Sequence, residues 1–531
     1  MQFVGRIVLV LIWACMLSAC SRGPTWLTGA DSRTSVTLNA DPARVEDGRT
    51  TVLVWHATNA TGCTASGGWS GSKATSGSQS TGALTATTSF TLVCSGDGGL
   101  ASDTMTVTVG SPPAGAVFPL HVEAGKRHLV DAQGQPFFVH GESAWALIVQ
   151  LTREEVDQYL EDRRLKGFNT LLVQLIVHGL AFDPPSFHAP NNVYGVGPFT
   201  VPGDFATPNE AYFAHAEYVI AKAAEKGILV LLAPAYMGYQ GGDQGWYQEM
   251  AANGEVKLRA YGQYVANRFR AYDNLLWLQG GDFDPPEKLL LRALANGIRD
   301  VDTRWLQTFH GGRGTSALAF LGSAEPWLTV NDIYTDESTV VANAFLEYAR
   351  STMPFFLIEA RYENEYGGTD ETVRTQAYQA VLSGSTGHLM GNNPVWNFNT
   401  GWQTALNSPG ATTLVHLRRL VDSLAWWTLQ PDVNNTLLTA GIGTGATRAV
   451  AARAGSGAFA VLYTPTLRQL TVNLAQLAGP NVRARWYDPT SGTYTTAIGS
   501  PFPASGSQTL TPPGNNSRGS EDWVLVLESI Q

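Results

Sequence analysis

Between positions 117 and 430, apolar strand-like runs alternate with helix-like segments eight times, a rhythm that restricts the fold more than any other feature of the chain. The runs are PFFVHG near 136, NTLLVQLIVHG near 169, GILVLLAP near 227, NLLWLQGGD near 274, RWLQTFHGG near 304, WLTVNDIYTD near 327, PFFLIEARYE near 354 and TGHLMGNNPVW near 386. Helix starts are marked between them. Thr152-Arg153-Glu154-Glu155 reads as a capping box ahead of Val156, Tyr159 and Leu160, and Thr207-Pro208-Asn209-Glu210 repeats the device with Pro at the first helical position. No G-x-G-x-x-G follows any of the runs, which argues against an open dinucleotide-binding sheet. The expected architecture for 117–430 is therefore a (β/α)8 TIM barrel, the α/β centre of a chain whose flanks read as all-β.

In such a barrel the C-terminal ends of the strands converge on one mouth. NLLWLQGGDFDP runs through apolar residues and then stops on Gly280-Gly281-Asp282, where two glycines allow a tight turn and the aspartate emerges at the mouth. DFDPPEK also suits a helix start, so capping is the competing reading of Asp282. Glu359 ends the run PFFLIE, and a carboxylate among Phe355, Phe356, Leu357 and Ile358 needs a partner, with Arg361 and Tyr362 the nearest candidates. Glu363 shares its strand parity and competes with it. Two carboxylates at the ends of strands four and seven suit cleavage of a glycosidic bond, with Asp282 as general acid/base and Glu359 as nucleophile. Sugars also need directional polar groups and flat apolar surfaces. Glu142, Trp145, His178, Tyr236, His310, Tyr362, Glu363, Asn392 and Trp396 stand near strand ends and are the candidates for binding substrate; His140 is a further polar group of this kind. The histidines form no His-Glu-x-x-His, there is no paired-cysteine motif, and HGGRGTS lacks the ending of a P-loop, so neither metal nor cofactor is expected.

The flanks read differently. Arg6 precedes the short apolar run IVLVLIWACML, and Leu17-Ser18-Ala19-Cys20 resembles a lipoprotein lipobox, so 1–20 is expected to be a signal peptide with Cys20 lipidated, placing the protein at a bacterial cell surface or outer membrane. Positions 35–110 carry short alternating runs such as TVLVWHA, SFTLVC and DTMTVTV, the pattern of an Ig-like β-sandwich, with Cys63 and Cys94 expected to form a disulfide. GSPPAGA, 110–116, reads as a hinge. From 434 to 531 RAVAARA, AFAVLYTP, LTVNL and DWVLVLES announce a second β-sandwich. A formal net charge of -10 offers no footprint for nucleic acid and favours a neutral carbohydrate as partner.

Several stretches resemble the apiosidase-like glycoside hydrolases: QPFFVHGESAWALIVQLTREEVDQYLEDRRLKGFNTLLVQ, Trp277 with Gly280-Gly281-Asp282, the Glu359 strand with Tyr362-Glu363, and GSTGHLMGNNPVW. The tail resembles the collagen-binding-type β-sandwich that accompanies this family. The resemblance implies a (β/α)8 hydrolase with Asp282 as acid/base and Glu359 as nucleophile. A retaining mechanism is the expected one, with inversion still open. A noncatalytic surface protein that binds glycan or matrix is the alternative reading.

Overall fold

The computed structural model describes residues 34–41, 44–45, 48–109, 116–181 and 188–531. The Cys20 lipobox and residues 110–115 of the hinge lie outside that set. The chain divides into two units, residues 1–41 with 49–108 and residues 42–48 with 109–531.

In the first unit the strands Ser35–Asp41, Val52–Thr58 and Ser76–Ser80 pair antiparallel. Gly62–Gly67, Gly71–Lys73, Thr88–Gly96 and Gly99–Val109 make another antiparallel set. Alternation in the sequence becomes alternation in burial: Leu53, Trp55 and Ala57 point inward while Val52 and Val54 stay exposed. The Trp55 ring meets Trp69 edge-on at 5.3 Å, and Trp69 meets Phe90 at 6.2 Å, so three aromatic residues join the inner faces. Cys63 and Cys94 sit opposite each other in register and are disulfide-bonded.

The second unit carries eight parallel strands: β1 (Val139–Ser143), β2 (Thr170–Gln174), β3 (Leu229–Ala233), β4 (Leu275–Gly280), β5 (Leu306–His310), β6 (Asn331–Tyr334), β7 (Phe355–Glu359) and β8 (Gly387–Met390). Their ladder runs 5-4-3-2-1-8-7-6, so each apolar run found in the sequence is one stave of a nearly closed barrel. Strands buried on both faces read as continuous apolar sequence, which is why these staves were visible in it. The seam between β5 and β6 is closed by a stitch instead of a ladder. Thr329 and Val330 N–H both donate to the Gln307 carbonyl, and Gln307 N–H donates to the Thr329 hydroxyl.

Helices cover the barrel. In α1 (Arg153–Leu165), Thr152 Oγ1 accepts from Glu155 N–H while the Glu155 carboxylate accepts from Thr152 N–H, completing the capping box. α2 (Glu210–Glu225) is capped by Asn209, not by Thr207, whose hydroxyl bonds back into its own loop. α3 (Tyr247–Arg268), α4 (Leu289–Val301), α5 (Val340–Arg350), α6 (Asp370–Leu382) and α7 (Pro409–Asp422) continue the outer layer.

Beyond α7 the chain builds two antiparallel sheets around Leu438, Leu462, Val472, Trp486 and Leu525. This β-region shares a hydrophobic cluster with the barrel: Tyr378 and Val381 of α6 and Leu417 of α7 pack with Val461, Tyr463 and Val526. A buried ion pair crosses the same boundary, with Arg374 Nε and Nη2 donating to the two Asp522 carboxylate oxygens at 2.7 and 2.9 Å. Tyr463 O–H and Asn516 Nδ2 donate to the same carboxylate.

Candidate active site

The turn after β4 has an unusual backbone. Gly280, Gly281 and Asp282 have φ of 84°, 130° and 47°, three successive positive values. A side chain at Gly280 would strike Phe309 and the His310 carbonyl, and one at Gly281 would strike the Tyr236 ring 2.1 Å away. Only glycines let the chain turn here, and aspartate is among the few residues that tolerate the left-handed region that follows. The turn delivers the Asp282 side chain beside the ends of β5 and β7.

There Asp282, His310 and Glu359 come together, and one ligand atom from each lies within 4.8 Å of the other two. His310 Nε2 is 2.9 Å from Glu359 Oε2 and 3.7 Å from Asp282 Oδ1. His310 Nδ1 is 3.1 Å from the Gly311 carbonyl, which can only accept, so Nδ1 carries a proton. Nε2 faces a carboxylate and carries the second. The imidazole is thus held as a cation between two acids. Burial pushes its pKa down, but the Glu359 hydrogen bond and the charges of Asp282, Glu359 and Asp332 outweigh that and lift it to about 9.

Asp282 responds in the opposite sense. Burial and the Glu359 charge raise its pKa to about 6, against the lowering influence of His310, the Tyr236 hydrogen bond and Arg313. Tyr236 O–H donates to Oδ2 at 3.0 Å, whereas Oδ1 has no hydrogen-bond partner. His310 is fully buried, yet the Asp282 and Glu359 side chains keep 20% and 13% of their surface exposed, so both acids remain reachable from the mouth. Aromatic residues surround them. Trp145 lies 5.5 Å from Tyr236 and 5.8 Å from His310, its indole N–H donates to Tyr362 Oη at 3.0 Å, and Tyr362 meets Trp396 edge-on at 6.3 Å. The same trio is the group of histidine and acidic side chains among the described residues close enough to share a metal ion, a juxtaposition of three distant strand ends that sequence spacing does not reveal.

Residues 123–428 match the family model described as "Apiosidase-like, catalytic domain". The chain belongs to this family. Residues 431–528 match a second model, "Putative collagen-binding domain of a collagenase". No curated protein matches the chain. Among solved structures, one named "Glycoside hydrolase" is 25% identical with a TM-score of 0.67, covering 79% of this chain and 98% of that one. A glycoside hydrolase family 5 structure from Bacteroides vulgatus is also 25% identical with a TM-score of 0.67, covering 77% and 93%. A further structure from the same organism, titled "putative glycoside hydrolase", 15% identical with a TM-score of 0.61 over 92% of this chain and all of that one, shares the fold.

Within the apiosidase-like barrel several residues proposed from sequence as sugar contacts lie elsewhere. Glu142 is a correction: it points from β1 into the helix layer, fully buried, with Arg163 Nε 2.7 Å away and Tyr159 O–H donating to it at 2.7 Å. Glu363 is another. Its carboxylate, 2% exposed, accepts from Asn392 Nδ2, Ser408 Oγ and Gly410 N–H at 2.7, 2.6 and 2.8 Å, which commits both oxygens to fixing the start of α7. Asn392, fully buried and donating to Glu363, belongs to that rivet as well. His140 is sealed against Phe168 and bonded to His388 at 3.0 Å, outside the mouth. Burial holds both imidazoles neutral, His388 down at about 3. His178 stands on the loop after β2, edge-on to Trp246 and 3.4 Å from Glu249. Arg361, expected near Glu359, pairs instead with Glu337, and His310 takes the position beside the carboxylate.

Proposed function

We propose that this glycoside hydrolase cleaves its substrate by double displacement, with Glu359 as nucleophile and Asp282 as acid/base. The observation that carries the reading is the approach of the two carboxylates, which have oxygens within 4.8 Å of each other. Retaining enzymes hold their carboxyl groups about 5 to 5.5 Å apart, whereas inverting enzymes need about 6.5 to 9.5 Å to admit a water. The electrostatics of Asp282 support the same division of labour. Asp282, raised to about 6, can hold the proton that the departing oxygen needs. Glu359 accepts the hydrogen bond of the His310 cation at 2.9 Å, which holds the attacking carboxylate in place.

In the first step Glu359 attacks the anomeric carbon as the glycosidic C–O bond breaks, and Asp282 gives its proton to the leaving oxygen. In the second, the Asp282 carboxylate takes a proton from water, the oxygen of that water attacks the anomeric carbon, and the bond to Glu359 breaks. Trp145, Tyr236, Tyr362 and Trp396 supply flat apolar surface for a sugar ring, which fits a neutral glycan.

The lipobox supports export and anchoring through Cys20 at the cell surface or outer membrane. The alternating strands and disulfide of 35–110 support an Ig-like module, and 434–531 a companion β-sandwich. Among the described residues no helix is long and apolar enough to cross a membrane.

The test is direct. Asp282→Asn and Glu359→Gln, assayed on a panel of aryl glycosides and plant and microbial glycans, should each lower kcat/KM by about 10²-fold to 10⁴-fold or more while leaving the fold intact. Folded variants with full activity would refute the assignment.

A further inference from the structure

Tyr236 stands just past the end of β3, and in the sequence it reads as a sugar contact. In the structure its hydroxyl has another partner. Asp282 is held from the loop after β3 at three points: Met237 N–H donates to the Gly280 carbonyl at 3.1 Å, Gln240 N–H to the Asp282 carbonyl at 3.2 Å, and Tyr236 O–H to Asp282 Oδ2 at 3.0 Å. The Tyr236 ring is 9% exposed and lies flush on Gly281, where an added Cβ would come within 2.1 Å of it. Trp145 borders the ring at 5.5 Å, and the Tyr236 carbonyl accepts from Trp246 N–H at 2.8 Å. The ring is therefore fixed on both sides of its hydroxyl, and that hydroxyl is aimed at one carboxylate oxygen.

The two oxygens of Asp282 thus differ. Oδ2 accepts from Tyr236, whereas Oδ1 has no hydrogen-bond partner. Oδ1 is also the oxygen 3.7 Å from His310 Nε2, which in turn lies 2.9 Å from Glu359 Oε2, so the free oxygen is on the side of the nucleophile. Burial and the charges of Asp282 and Glu359 push the Tyr236 phenol well above its ordinary range, and it stays a donor. A carboxylic acid that accepts a fixed O–H at one oxygen carries its own proton on the other.

We propose that Tyr236 is the positioning residue of the acid/base: by donating to Oδ2 it turns Asp282 so that Oδ1 faces the glycosidic oxygen, and Oδ1 is the atom that gives and regains the proton. The inference rests on the reading of Asp282 as acid/base, and adds which oxygen acts and what aims it. In the first step the O–H bond at Oδ1 breaks and its proton goes to the leaving oxygen, while the bond from that oxygen to the anomeric carbon breaks and Glu359 bonds to the carbon. In the second, a proton of water returns to Oδ1 as the water oxygen bonds to the carbon and the Glu359 ester breaks. Tyr236 keeps its proton throughout. An aimed acid matters most where the leaving group is poor: an alkoxide needs the proton to depart, and a dinitrophenolate does not.

The experiment uses the full chain and two glycosides of the sugar that the wild type cleaves, one with an alkyl and one with a dinitrophenyl leaving group. Tyr236→Phe, which keeps the ring and removes only the hydroxyl, should lower kcat/KM for the alkyl glycoside about tenfold to 10²-fold and leave that for the dinitrophenyl glycoside within about threefold. On the alkyl glycoside the falling limb of kcat/KM should also move to higher pH, because taking a donor from a carboxylate favours its protonated form. A loss shared equally by the two glycosides overturns the proposal, since that is what a ring that merely packs would give. Full activity on the alkyl glycoside, a limb that stays in place, or a raised KM with unchanged kcat, the pattern of a sugar contact, overturns it as well. Asp282→Asn separates this proposal from the reading beneath it, and should show the same dependence on leaving group with a larger loss. If it does while Tyr236→Phe matches the wild type, only the role of Tyr236 falls. If Asp282→Asn cleaves both glycosides as well as the wild type, the acid assignment falls and takes the aiming of Oδ1 with it.

Discussion

Two buried charged networks in the same unit are built to opposite ends. At the boundary between α6 and the C-terminal sheets, Arg374 and Asp522 are both fully buried, and each Asp522 oxygen accepts from the guanidinium and from a further side chain, Tyr463 or Asn516. At the barrel mouth a single imidazolium serves two carboxylates, and Asp282 Oδ1 has no hydrogen-bond partner. The first network is saturated and holds two parts of the chain together. The second is short of donors, so burial and the Glu359 charge outweigh them and lift Asp282 into a range where it can trade a proton near neutral pH. Saturation makes a fastening; incompleteness makes a reactive centre.

Breaking the fastening should give the largest effect on stability. Asp522→Ala leaves the Arg374 cation buried without its partner, which should destabilise by about 3 to 5 kcal/mol in chemical denaturation. Replacing both residues with apolar ones of similar volume, Arg374→Met with Asp522→Leu, should recover much of that loss. If Asp522→Ala unfolds at wild-type denaturant, the pair is not what joins the barrel to its β-region.

A smaller effect sharpens the other half of the comparison. Because the proposed acid must hold its proton, kcat/KM should fall as pH rises through about 6, the value to which burial and Glu359 lift Asp282. His310 pulls that value down, so in His310→Asn the falling limb should move to higher pH while overall activity drops. The removal of one charged donor beside the reacting groups should lower kcat about 10²-fold. A limb that stays in place when His310 is replaced would show that the imidazolium and Asp282 do not interact.

How much of this was legible in the sequence depended on whether the cause was local. All eight staves were, because each is a short apolar run buried on both faces, and the Gly280-Gly281-Asp282 turn was, because only glycine fits against Phe309 and Tyr236. The carboxylates at other strand ends were not. Glu142 and Glu359 look alike in sequence, and which one faces the cavity is fixed by partners far along the chain. One signal was available: Arg163 continues the buried stripe of Val156, Tyr159 and Leu160, and an arginine on such a stripe requires a carboxylate in the strand beneath it. Nothing comparable marked Glu363, whose donors lie on residues 392, 408 and 410, or the meeting of His310 with Glu359 across 49 positions.

The measurement closest to the central claim is the identity of the side chain that carries sugar midway through turnover. Incubation with a 2-deoxy-2-fluoro glycosyl fluoride of the substrate sugar, followed by peptide mass spectrometry, should find one glycosyl ester, on Glu359. An ester on Asp282 or another acid, or an unlabelled protein whose product emerges with inverted anomeric configuration by proton NMR, would contradict the account.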